Sequence, residues 1–149
     1  MMKILLAIDD SVASQQAIRA VQTRPWPSGS TIRVLSAIPR VLPPPPPAPW
    51  LGITTGYRDM EARRRANAEA FVTRIAESIR RGELDAEGAV RTGSPRTVIL
   101  DEARRWSADL VILASRGFTG LKAWMHGSVS RYIAGHAPCS VEVVGGKSA

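Results

Sequence analysis

The chain predicts an α/β domain built on a mostly parallel sheet. Three observations carry that prediction. Short apolar runs at 3–8, 31–38 and 109–114 have the near-continuous hydrophobicity of strands covered on both faces. Between them, apolar residues recur at helical spacing, as on one buried stripe. The connecting stretches are long enough to cross over between parallel neighbours. The length of 149 residues suits one domain, taken as 1–149, with five strands and about four helices.

The first strand, Lys3 to Ile8, stops at Asp9, Asp10 and Ser11, which supply helix-capping oxygens. Ala13, Ala17 and Val21, with Ile18 beside them, mark the buried stripe of the helix that follows. Pro25, Pro27 and Gly29 end it, and Thr31 to Ile38 forms the second strand around one charge at Arg33. Residues 39–56 read as a Pro-rich loop insertion, because Pro43 to Pro47 cannot join a ladder and favours an extended polyproline conformation. A helix is predicted from Tyr57 to Arg81 on Phe71, Val72, Ile75, Ala76 and Ile79, with Gly82 as its stop. Arg63, Arg64 and Arg65 point in successive directions around it and form no flat patch. A weaker strand is read at 86–91, and Gly93-Ser94-Pro95 reads as turn, cap and first helical residue. Val98, Ile99, Leu100, Ala103 and Trp106 continue that helix, and Asp109 to Ala114 is the clearest buried strand. A Gly-rich loop leads to a short helix from Ser128 to Gly135 and a last strand from Ser140 to Val144.

Composition narrows the function classes. Hydrophobic residues make up 44% and charged residues 22%, which excludes a wholly disordered chain. No apolar run approaches the roughly 18 residues of a membrane span, and the run at 4–8 is too short for a secretory signal core. A soluble, cytoplasmic protein is expected. One cysteine, Cys139, excludes an internal disulfide framework and a Cys-rich zinc site. His126 and His136 have no metal-ligand spacing and read as structural or exposed. The net charge of +7 is an arginine excess that attracts anions. No interleaved basic and aromatic surface accompanies it, so nucleic acid is not the expected partner.

The stretch from Ala114 to Ser130 is the most informative. It leaves the carboxyl end of a buried strand. Gly117 lets backbone N–H groups approach a ligand, and Gly127-Ser128 opens a helix whose N–H groups and dipole favour an anion. On pattern alone this serves phosphate binding or only a turn. It is not a Walker loop, lacking Gly-Lys-Ser/Thr, and the first strand leads to Asp-Asp-Ser rather than a dinucleotide glycine fingerprint. No nucleophile, base and orienting acid can be placed together.

Four segments in order resemble the universal stress protein family over nearly the whole chain. They are Ile8-Asp9-Asp10-Ser11, Gly93-Ser94-Pro95, Ala114 through Gly117 to Gly127-Ser128, and His136-Ala137-Pro138-Cys139-Ser140-Val141. The resemblance implies a three-layer, Rossmann-like open sheet of five mainly parallel strands in the order 3-2-1-4-5, with helices on both faces. It implies ATP as ligand, at the crevice between the ends of strands 1 and 4. Asp9 would bond the adenosine moiety, and Ala7 and Ala37 would line the adenine pocket. Ser115, Arg116 and Gly117 would contact ribose and phosphates, and Gly127, Ser128, Val129 and Ser130 would hold the phosphate tail. Magnesium would accompany the phosphates, although Asp9 is a single carboxylate for it. The resemblance also implies a homodimer through the last strand, which Val141 and Val143 suit.

Two positions depart from the family pattern: Ala114 replaces the first motif glycine, and Asp10 stands where glycine often follows the first aspartate. The expected function is a small adenine-nucleotide-binding stress protein, regulatory or protective, with at most weak ATP hydrolysis because no general base is positioned. The alternative is a dimeric interaction or chaperone-like member that no longer binds nucleotide.

Overall fold

Lys3 opens a strand whose next four side chains, Ile4 to Ala7, are all buried, so the strand must be central and covered on both faces. The computed structural model describes residues 1–40, 51–114 and 128–145. In chain order its elements are β1 (Lys3–Ala7), α1 (Val12–Thr23), β2 (Thr31–Ile38), α2 (Leu51–Arg80), β3 (Asp85–Thr92), α3 (Pro95–Trp106), β4 (Leu110–Ala114), α4 (Ser128–His136) and β5 (Ser140–Val144). The strands form one sheet in the order β3-β2-β1-β4-β5, with every neighbouring pair parallel. This is the expected architecture and strand order.

Alternate side chains of the central strands feed two cores. Ile4, Leu6, Ile32, Val34 and Ile112 pack with Ala17, Ile18 and Val21 of α1 and Val72, Ala76 and Ile79 of α2. Leu5, Ala7, Leu35, Val111 and Leu113 face the other way, onto Ile99 and Ala103 of α3 and Val129 and Ile133 of α4. The helices therefore form two layers with the sheet between them.

Ser11 caps α1 as expected, with its hydroxyl accepting the Ser14 N–H at 3.3 Å. Arg24, extended ahead of Pro25, ends it, because the proline ring disfavours a helical residue before it. The long helix departs from expectation. It begins at Leu51, inside the stretch read as loop to residue 56, and ends at Arg80. Gly52 and Gly56 each cost about 1 kcal/mol relative to alanine in a helix interior. Extending an existing helix nevertheless gains one hydrogen bond per residue, so these glycines do not set its start. Positions 62–67 are all exposed, and Ala68, Phe71 and Val72 pack against the core. Pro43 to Pro47 lie outside the described residues.

β3 runs one residue beyond the predicted span at each end. Gly93 then takes φ +145° and donates its N–H to the Ile38 carbonyl at 2.8 Å, a conformation that requires glycine. Ser94 occupies the cap position of α3, but its side chain makes no capping bond. Its carbonyl accepts the Val98 N–H at 2.9 Å. On α3, Glu102 is only 1% exposed among apolar neighbours. Two arginines hydrogen-bond to it, Arg33 of β2 and Arg91 of β3, and Arg105 of its own helix lies 3.9 Å away. Trp106 is half-buried against the α3–α4 core, with the Arg33 guanidinium 4.5 Å from its ring. No described helix is long and apolar enough to cross a membrane.

Candidate functional site

The strand order creates a switch point. From β1 the chain moves to β2 on one side, while β4 lies on the other, with Ala7 opposite Leu113. Open α/β sheets bind ligands in the crevice at the carboxyl ends of such strands.

Three predicted residues come together at this end. Ala7 is 2% exposed and lies opposite Leu35, so Ala37, two residues further along β2, shares its face of the sheet. Ala37 is half-buried. Ile8 continues β1 by donating its N–H to the Leu35 carbonyl at 2.9 Å, which delivers Asp9 to the sheet's carboxyl end.

Asp9 is held from within its own turn. Its Oδ1 accepts the Ser11 N–H at 2.9 Å and the Ser14 hydroxyl at 2.8 Å. The Asp9 N–H donates to the same Ser14 oxygen at 3.0 Å. Ser11 and Ser14 are 4% and 2% exposed, so this small polar cluster is shielded from water. The sequence reading identified the Ser11 cap and missed Ser14. The available signal was a hydroxyl three residues after the cap, in the first turn of α1, where side chains turn back toward the helix start. Asp10 is exposed.

Ser128, Val129 and Ser130 form the first turn of α4, at the positive end of its dipole. Val129 is 3% exposed and packs into the core. Ser128 is half-buried, and Ser130 is buried. Ala114 ends β4 at 7% exposure. Ser115, Arg116, Gly117 and Gly127 lie outside the described residues, as do His126 and Trp124.

Other candidate groups take structural places. His136 is exposed, stacks on Tyr132 at 4.1 Å between ring centroids, and has Nδ1 2.8 Å from the Tyr132 carbonyl. Burial, and secondarily the charge of Asp109, pushes the Cys139 thiol pKa up. Among the described residues no cluster of three His, Cys, Asp or Glu could hold a metal ion. At the amino end of the sheet, turns around Trp26, Gly29 and Glu83 enclose a cavity of about 490 Å³.

The Universal stress protein family model matches residues 1–145. Universal stress protein Sll1388 of Synechocystis is 28% identical over 148 residues, covering 95% of this chain and 96% of the relative. The solved structure of hypothetical protein MJ0577 superposes with a TM-score of 0.80 at 20% identity, covering 99% of this chain and 98% of the other. A universal stress protein family protein from Arabidopsis thaliana, solved with AMP bound, gives a TM-score of 0.67 at 20% identity, covering 99% and 94%. With nearly its whole length matched by the family model, the chain belongs to the universal stress protein family.

Proposed function

We propose that this chain binds an adenine nucleotide, with ATP as the leading ligand, in the crevice at the carboxyl ends of β1, β2 and β4. The observation that carries this reading is the convergence of Asp9, Ala7 and Ala37 at the switch point of the sheet. The first turn of α4 supplies a favourable dipole end for phosphate. AMP in the Arabidopsis neighbour supports the ligand class. Ser115, Arg116, Gly117 and Gly127 complete the ribose and phosphate contacts in this reading. Magnesium enters with the phosphates rather than in a protein cage, because Asp9 is one carboxylate with Oδ1 already engaged.

The protein then acts in the cytoplasm as a homodimeric regulatory or protective module, paired along β5. It turns ATP over slowly at most. The open edge of β5 supports the dimer: Val143 is 39% exposed there, and an unpaired edge invites a partner strand. Labelled ATP binding by the purified protein, beside Asp9→Ala and Gly127→Ala variants, tests the site. Binding by the wild type and loss in both variants supports the reading. No binding, or equal binding by all three, rejects it.

A second reading, a dimeric interaction module without nucleotide, rests on Ala114. Its Cβ ends β4 beside the crevice where the family motif has glycine. Under that reading Ala114→Gly creates nucleotide affinity that the wild type lacks. Native mass spectrometry gives subunit number and any co-purified nucleotide together.

A further inference from the structure

We infer that Ser14 is a positioning residue that locks Asp9 so that only Oδ2 faces the nucleotide, making the site an acceptor for one donor group of the nucleoside. The inference rests on the adenine-nucleotide reading of the crevice and deepens it.

A carboxylate has two oxygens and rotates about two side-chain bonds, so an unrestrained aspartate presents either oxygen to a ligand. In this turn the choice is removed. Two donors converge on Oδ1, the Ser11 N–H and the Ser14 hydroxyl. The Ser14 oxygen is itself fixed, because it accepts the Asp9 N–H and its residue is buried in the first turn of α1. Oδ2 has no hydrogen-bond partner among the described residues. Asp9 is only half-buried, so that oxygen can meet a ligand.

The chemistry of selection follows from the charge. An ionised carboxylate oxygen accepts hydrogen bonds and donates none. The ligand must therefore offer an N–H or O–H at this point. On an adenosine nucleotide the candidates are the sugar hydroxyls and the exocyclic base amine. A lone-pair edge facing Oδ2 is repelled. Because the lock forms without ligand, little ordering remains to be done on binding, and affinity gains accordingly.

Calorimetric titration with AMP tests the lock through a double-mutant cycle on Asp9 and Ser14. Ser14→Ala is expected to weaken AMP binding about five- to tenfold, the size of one ordinary hydrogen bond's net contribution. In an Asp9→Ala background the same Ser14→Ala change is expected to have no further effect, because its target is gone. Equal loss in both backgrounds, or unchanged affinity with a lowered melting temperature, shows a purely structural hydroxyl and overturns the inference. Titrations with 2′-deoxy-AMP and IMP separate the sugar hydroxyl from the base amine as the donor that Oδ2 receives.

Should the wild type bind neither AMP nor ATP, the functional reading fails on its own. The lock is then judged by the side-chain scalar couplings of Asp9. One rotamer in the wild type and averaging in Ser14→Ala supports it. One rotamer in both overturns it.

Discussion

Glu102 of α3 accepts a hydrogen bond from the Arg33 guanidinium of β2 at 2.8 Å while only 1% exposed. Arg91 of β3 grips the same carboxylate through Nε at 3.1 Å and Nη2 at 3.2 Å. The carboxylate thus ties a helix to two strands, and Arg33 also lies over Trp106. Removing one partner of a buried ion pair costs about 3–5 kcal/mol when the other charge is left fully buried and unpaired, whereas Arg33 keeps a second carboxylate, Glu87, at 2.8 Å from its Nε. Arg33 and Arg91 side chains are 20% and 42% exposed, so water recovers part of that cost. Glu102→Ala is expected to lower stability by about 2–4 kcal/mol in urea denaturation, and Glu102→Gln by less. A loss below about 0.5 kcal/mol for Glu102→Ala, the range of ordinary surface changes, contradicts this.

The packing of α2 on β3 depends on Gly88. A Cβ there would stand 2.8 Å from Val72 Cγ2 and 3.2 Å from the Val72 carbonyl carbon. The contact includes backbone, so it cannot be relieved by rotating a side chain alone. Gly88→Ala is expected to destabilise by about 1–3 kcal/mol, as overpacking does. Combined with Val72→Ala, it should cost less than the sum of the single changes, because the two sites share one contact. Additive losses in thermal or chemical unfolding would show that the strain lies elsewhere.

Edge strand β5 is pinned by Arg24, which follows α1 and holds both oxygens of Glu142. Hydrogen bonding to Arg24 lowers the Glu142 pKa, against the opposing effect of burial. A carboxylate with a depressed folded pKa contributes stability above its unfolded pKa, about 4.3 for glutamate, and loses it as pH falls through the folded value. The pair is partly exposed, so its worth is at most about 1 kcal/mol. The wild type should melt above Glu142→Gln at pH 7, and the difference should vanish in acid well below pH 4. The same difference at both pH values would remove the ion pair as its cause.

The sheet was readable in the sequence because central parallel strands are apolar on both faces, and 3–8, 31–38 and 109–114 show that directly. The start of α2 was not, because Gly52, Thr54, Thr55 and Gly56 have loop-like propensity and local preference does not set where a nucleated helix stops. Glu102 is one of two adjacent acids on an arginine-bearing helix, where a solvated charge is the ordinary expectation. Its place one position before Ala103 and four before Trp106 put it on the buried stripe, which was the legible clue. At the candidate site, Asp9, Ala7 and Ala37 could be nominated only through family resemblance, since no spacing rule joins residues on different strands. Their common face follows from the β1–β2 register, a tertiary fact. Ser14 could be noticed as a hydroxyl in the first turn of α1, but its contact with Asp9 depends on how the turn after β1 folds back on that helix.

The central claim is that adenine nucleotide binds at the carboxyl end of the sheet. Titrating isotope-labelled protein with AMP and following backbone amide resonances tests it most directly. The account predicts saturable shifts grouped at Asp9, Ser11, Ala37 and Ser128 to Ser130, abolished by Asp9→Ala. An unchanged spectrum, or shifts grouped instead around Trp26, Gly29 and Glu83 at the opposite end, would contradict it.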